Sequence, residues 1–222
     1  MFTGIIQATG LIAAIEPRAG DVRLRIACGD LDLSSVTPGD SIAVSGVCLT
    51  AVAMDEGGFS ADVSTETLQC TTLGELAAGD AVNLEKPLLP ATPLGGHFVS
   101  GHVDGVGEVI DLVEDARSLR IHIQAPQALA RYIAAKGSVC VDGVSLTVNE
   151  VNGAQFGVNI IPHTLEHTTI GQYRAGSRVN IEVDLIARYL ERLYMGARAA
   201  DPASSITREF LANHGYLDQT DS

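Results

Sequence analysis

The chain is short of basic residues: 14 Lys and Arg stand against 27 Asp and Glu, a formal charge of −13 at pH 7. That balance argues against nucleic acid as partner, because a phosphate backbone draws a basic patch. No apolar run approaches the roughly 18 residues of a membrane span, so no membrane partner is expected. The opening MFTGIIQATG has neither a basic leader nor a long apolar stretch, and no signal peptide is expected. The 4 cysteines, Cys28, Cys48, Cys70 and Cys140, form no CxxC pair and no zinc spacing. Reduced thiols in the cytoplasm are the corresponding expectation. A Gly-rich loop inside a βαβ unit is also missing, which removes a nucleotide-binding reductase. What remains is a globular chain of 222 residues, 46% hydrophobic and 18% charged, able to bury a core.

The segment 44-VSGVCLT-50 returns as 141-VDGVSLT-147. The same offset of 97 residues carries Ser41 onto Ser138, Gly4 onto Gly101, Phe59 onto Phe156, and 79-GDAVNLE-85 onto 176-GSRVNIE-182. Two units are too few for a solenoid and read as two domains of like fold. The segment 87-PLLPATPLGG-96, with three prolines and two glycines, marks the boundary. The expected division is 1–90, 97–184 and a C-terminal segment 185–222.

Each unit reads as short strands: IIQATGLIAAIE, VRLRIAC, SIAVSGVCLTAVAM, FSADVS and AVNLE in the first, with counterparts in the second. About five or six strands per hundred residues predict an all-β fold of two small closed barrels, which leave no sheet edge. Helical turns are expected at ETLQCT and HTLEHT, and a two-turn helix at QALARYIAA. In 185-LIARYLERLYMGARAA-200, Ile186, Tyr189, Leu190, Leu193 and Tyr194 fall on one helical face. An appended amphipathic helix packs on its own chain or joins subunits, and joining subunits is the favoured reading. SSITREFLANHGY reads as a second short helix, capped by Ser and stopped by Gly215. Duplicated barrels imply duplicated pockets, lined by the Gly-Val-x-Leu-Thr strands and by the segments beginning at Asp62 and Asn159.

MFTGII, GVCLT, GGHFVSGHVDG, KGSVCVDGVSLTVNEV and the pair GDAVNLE and GSRVNIEVD resemble riboflavin synthases of the alpha-chain type, over residues 1 to about 195. The resemblance implies two tandem six-stranded Greek-key barrels and a C-terminal α-helix that gathers three chains. It implies two molecules of 6,7-dimethyl-8-ribityllumazine as substrate. A four-carbon unit passes between them, giving riboflavin and 5-amino-6-(D-ribitylamino)uracil, with no cofactor or metal. The working site implied lies between the first barrel of one chain and the second barrel of another. Association with lumazine synthase is left open. A non-catalytic lumazine- or flavin-binding protein of the same fold is the alternative. The intact GVxLT motifs, Ser41, Cys48 and His102 favour the enzyme.

Five residues are candidates for chemistry. Cys48, changed to Ser145 in the repeat, could add to a ring carbon or assist proton transfer, or could be a small buried hydrophobe. His102, whose repeat partner is Ile5, suits removal of an acidic methyl proton, or could be a hydrogen-bonded histidine at a strand start. His97, in the linker, has the same chemistry at a looser position. Ser41 could orient a carbonyl or water, or be an ordinary strand-start serine. Asp184 could act as acid or base, or only cap a helix.

For substrate binding the resemblance carries over Gly4, Ile5, Ile6, Cys48, Leu49, Thr50, Asp62, Val63, Ser64, Thr65, Glu66 and Thr67 as one set. The equivalents in the second unit are Gly101, His102, Val103, Ser145, Leu146, Thr147, Ile160, Ile161, Pro162, His163 and Thr164, with Lys136. Lys136 could hold pteridine oxygens or the ribityl chain, or be a solvated turn lysine. Phe2 is expected to cover the pocket by stacking. His122, His163, His167 and His214 read as structural or surface residues, with His163 in a pocket-lining segment.

Overall fold

A computed structural model describes residues 1–200. The helix expected at SSITREFLANHGY lies outside the described residues. The first barrel contains β1 (Ala8–Arg18), β2 (Asp21–Ala27), β3 (Ser41–Val44), β4 (Val47–Asp55), β5 (Gly58–Val63) and β6 (Ala81–Glu85), with α1 (Thr65–Cys70) before β6. The second contains β7 (Gly105–Asp115), β8 (Ser118–Gln124), β9 (Ser138–Val141), β10 (Val144–Asn152), β11 (Gln155–Ile160) and β12 (Arg178–Val183), with α2 (Pro162–His167) before β12. The strands close in the orders β1-β2-β5-β4-β3-β6 and β10-β11-β8-β7-β12-β9. In the first barrel β3, β4 and β5 are successive neighbours and β2 lies beside β5, which is Greek-key order.

Closure of so small a barrel needs sharp bends, and the register supplies them at repeated places. β1 slips between Ile12 and Ala14, and β7 between Val109 and Asp111. β4 slips between Ala51 and Ala53, and β10 between Val148 and Glu150. A bulge bends and twists its strand, so these four positions curve each sheet onto itself. Alternate strand residues point inward. Ile12, Leu24, Ile26, Ile42, Phe59 and Leu84 fill the first barrel. Val109, Ile121, Ile123, Val139, Phe156 and Ile181 fill the second. The expected helix at QALARYIAA is instead a 3₁₀ run, Gln127–Tyr132, with no side-chain cap at Pro126. Its bonds run Leu129 N–H to Pro126 O and Ile133 N–H to Ala130 O. Short uncapped segments tighten in this way.

The barrels meet through repeat-related pairs. Phe2 and Val99 exchange both backbone hydrogen bonds, at 2.7 and 3.1 Å. Phe2 is 0% exposed and clusters with Val99, Ala43 and Cys140. This places Phe2 in the core between the barrels rather than over a pocket, because its backbone bridge to Val99 draws the ring inward. Asn83 Nδ2 donates to the Asp142 carbonyl (2.9 Å), and Asn83 Oδ1 accepts from Thr169 N–H (2.8 Å). Asn180 repeats this toward Ser45 (2.9 Å) and Thr72 (2.8 Å).

After β12 the chain enters α3 (Leu185–Tyr194). Asp184 caps it, its Oδ1 accepting from Ile186 N–H at 2.9 Å. Ile186, Tyr189, Leu190, Leu193 and Tyr194 along α3 are exposed. No helix among the described residues is long and apolar enough to cross a membrane.

Candidate active site

The segments ahead of the two first strands cross over. Gly101, which precedes the second barrel, lies against β4 of the first: its carbonyl accepts from Cys48 N–H at 2.8 Å. Gly4, which precedes the first barrel, lies against β10 of the second: its carbonyl accepts from Ser145 N–H at 2.8 Å. Val103 then packs against the first core and Ile6 against the second. Both crossings require glycine. Gly4 has φ +76° and Gly101 φ +82°. A Cβ at Gly4 would meet Ser145 Cβ at 2.5 Å, and one at Gly101 would meet Cys48 Cβ at 2.6 Å.

Two groups of candidates result, and each mixes the sets expected from the sequence. Gly101, His102 and Val103 join Cys48, Leu49 and Thr50. Gly4, Ile5 and Ile6 join Ser145, Leu146 and Thr147. The offset links like positions, but the folded chain exchanges the crossing segments between barrels.

In the second-barrel group His97 Nδ1 and Ser145 Oγ are 2.7 Å apart. His97 is half-buried, and burial pushes its imidazole pKa down, while the Asp184 charge pulls it back up. A neutral His97 can therefore serve Ser145 as acceptor or donor. In the first-barrel group His102 is exposed, and Cys48 is half-buried, packing partly against the cluster around Phe2. Ser41 pairs with Thr50, as Ser138 pairs with Thr147, so both serines stand beside the pocket strands. A cavity of about 240 Å³ beside His102 is lined by Ser100, Val103, Asp104, Glu182 and Arg188. A larger one, about 340 Å³, surrounds Asp111, His122 and Glu150 and contains none of the candidates.

The remaining candidates are less uniform. Leu49, Val63 and Ile160 point into the cores, at 4%, 1% and 1% exposure, so only their backbones can face a ligand. Thr50, Ser64, Thr65, Glu66, Ile161, Pro162 and His163 are exposed, while Thr67 and Thr164 are half-buried. Asp62 is held by Arg23 through two bonds, 2.7 and 2.8 Å, and that guanidinium keeps its carboxyl below the ordinary range. Ser64 caps α1 through Thr67 N–H at 3.2 Å. His163 stacks on His167, with ring centroids 4.2 Å apart. Lys136 is exposed at φ +66°, where the first barrel has Gly39. Among the described residues no group of three or more His, Cys, Asp or Glu could hold a metal.

Two residues with no assigned role stand behind the crossing segments. Glu85 and Glu182, 2% and 4% exposed, stand at the end of β6 and one residue before the end of β12. Burial pushes both carboxyls up, and hydrogen bonds from the crossing segments oppose it. The repeated VNLE and VNIE are the visible signal: a glutamate in a strand facing the core needs donors.

Two like strand-and-segment arrangements on duplicated barrels define a tandem double-barrel protein. The lumazine binding domain family matches residues 3–87 and 100–184. Riboflavin synthase of Photobacterium phosphoreum is 48% identical over 217 residues, covering 98% of this chain and 100% of that one. Riboflavin synthase of Bacillus subtilis (strain 168) is 38% identical over 216 residues, covering 97% and 100%. A crystal structure of LumP complexed with 6,7-dimethyl-8-(1'-D-ribityl) lumazine has a TM-score of 0.74 and 28% identity, covering 82% of this chain and 99% of that one. The chain belongs to the riboflavin synthase family of lumazine-binding double barrels.

Proposed function

We propose that the chain is a transferase that dismutates two molecules of 6,7-dimethyl-8-ribityllumazine. One molecule gives a four-carbon unit to the other, yielding riboflavin and 5-amino-6-(D-ribitylamino)uracil. The observation that carries this reading is the crossing of segments, which sets unlike residues at like strand positions: His102, following Gly101, whose carbonyl takes Cys48 N–H, and His97 against Ser145.

The substrate enters twice with one structure and leaves with opposite fates. One copy must lose a proton from its 7-methyl group and act as carbon nucleophile. The other must accept a nucleophile at C7. His102 is the base for the methyl proton, with the electron pair left in the conjugated ring system. Cys48, in the same group, assists that proton transfer, while a nucleophile adding at C7 belongs to the other copy. Ser41 and Thr50 orient the ring, and Lys136, in the second barrel, holds the oxygens or ribityl chain of the other copy. His97, with Ser145 and the charge of Asp184, serves the other copy. Holding two rings in register makes the encounter intramolecular, worth up to about 7–11 kcal/mol.

The reading divides the chain into lumazine-binding barrels at 1–90 and 97–184 and a helical segment at 185–222. The exposed apolar face of α3 supports a homotrimer in which pockets from different chains face each other. A cytoplasmic enzyme, with lumazine synthase as an additional partner, fits this reading. The test is incubation of purified protein with the lumazine and no cofactor. One riboflavin for every two lumazines consumed is expected. Tight binding without product would mark a carrier and contradict the proposal.

A further inference from the structure

Glu182 Oε1 accepts from Ser100 N–H (2.6 Å) and from the Ser100 hydroxyl (2.7 Å), and its Oε2 accepts from Gly101 N–H (2.9 Å). The Ser100 hydroxyl oxygen in turn accepts from His102 N–H at 3.3 Å. Three consecutive backbone N–H groups are thereby tied to one carboxylate, two directly and the third through a hydroxyl. Glu85 repeats the pattern. It takes Thr3 N–H (2.7 Å), the Thr3 hydroxyl (2.6 Å) and Gly4 N–H (3.0 Å), and Thr3 Oγ1 takes Ile5 N–H (3.2 Å).

Only a carboxylate offers two oxygens and no donor to such a set. Glutamine would present an NH₂ to one of the N–H donors and leave it unpaired, at the cost of a buried unsatisfied group. The held segments end differently. The one on Glu85 delivers Ile5 to the second-barrel group. The one on Glu182 carries His102 next to Gly101, whose carbonyl is fixed to Cys48 N–H in the first-barrel group.

We propose that Glu182 is the positioning residue for His102: a side chain of the second barrel that sets, through Ser100 and Gly101, the imidazole working in the first-barrel pocket. Glu85 holds its segment in the same way but has no imidazole to aim. The proposal rests on the reading of His102 as base for the 7-methyl proton.

A double-mutant comparison tests it, with two readouts: deuterium exchange into the 7-methyl group of the lumazine in D₂O, followed by NMR, and riboflavin formation. Glu182→Gln should slow exchange by about 10- to 100-fold, the scale of a misplaced reacting group. In a His102→Gln background the same change should cost nothing further in exchange, because it acts through the missing imidazole. Glu85→Gln and His102→Gln should multiply. Ser100→Ala, which removes only the hydroxyl bridge, should move exchange in the same direction as Glu182→Gln and decides the matter if Glu182→Gln does not fold. A purely structural role predicts the opposite: Glu182→Gln multiplying with His102→Gln, or Ser100→Ala leaving exchange unchanged, would overturn the assignment. Absence of riboflavin from the unaltered protein would instead overturn the functional reading itself, and the positioning role with it.

Discussion

The two barrels share their frame and differ in their furnishing. The four bulges, the glutamate clamps, the crossing glycines and the asparagines that bridge the barrels all recur at one offset. The changed positions are different in kind. Cys48 becomes Ser145, Ile5 becomes His102, Gly39 becomes Lys136 and Ser45 becomes Asp142. Repetition thus marks residues that fix backbone paths, and three of these four divergences fall on residues with candidate roles in the pockets. The difference at Ser45 and Asp142 goes beyond the pockets. Ser45 Oγ accepts from Asn83 N–H at 3.2 Å, while Asp142 Oδ1 accepts from Asn180 N–H at 2.7 Å and its other oxygen takes the Tyr173 hydroxyl, where the first barrel has Leu76.

The largest expected effect breaks the shared frame. Asn83→Leu and Asn180→Leu each remove two buried hydrogen bonds and strand a backbone N–H and a carbonyl. Each should cost about 2–4 kcal/mol, judged by the penalty for buried unpaired groups. Chemical denaturation should give the two variants similar losses. A loss confined to one of them would show that the bridges are not equivalent.

A smaller effect sharpens the difference. Burial pushes the Asp142 carboxyl from 3.8 up to about 6, against the opposing bonds from Tyr173 and Asn180. The folded chain therefore holds this proton more tightly than the unfolded chain. Stability from this group is fully present below its unfolded pKa and falls as pH rises through the window from 3.8 to about 6. An asparagine side chain at this position cannot titrate. The Tm difference between the parent protein and Asp142→Asn should therefore shift against the parent across that window and then level off. A difference independent of pH would contradict the assignment.

Much of the frame was legible because a repeat at fixed offset exposes every residue needed twice. Strand number, barrel closure, the turns at α1 and α2 and the start of α3 follow from alternation and caps. The crossing was not legible, for a physical reason. An exchanged and an unexchanged arrangement of two identical segments make the same kinds of contact, so the pattern of residues is the same in both. That is why the sequence groups Gly4 to Ile6 with Cys48, although they stand by Ser145. Phe2 misleads in a similar way: an exposed-looking terminal aromatic becomes core once its backbone pairs with Val99. Glu85 and Glu182 are visible as repeated letters. Their meaning depends on which N–H groups the fold turns toward them.

Two pockets that look alike divide the labour between them. Deuterium exchange at the lumazine 7-methyl group, measured side by side in His102→Gln and His97→Gln, addresses that division directly. The account predicts exchange slowed by about 10²-fold or more in His102→Gln, the scale of a lost general base, and largely retained in His97→Gln. Equal losses in both, or loss in His97→Gln alone, would contradict it.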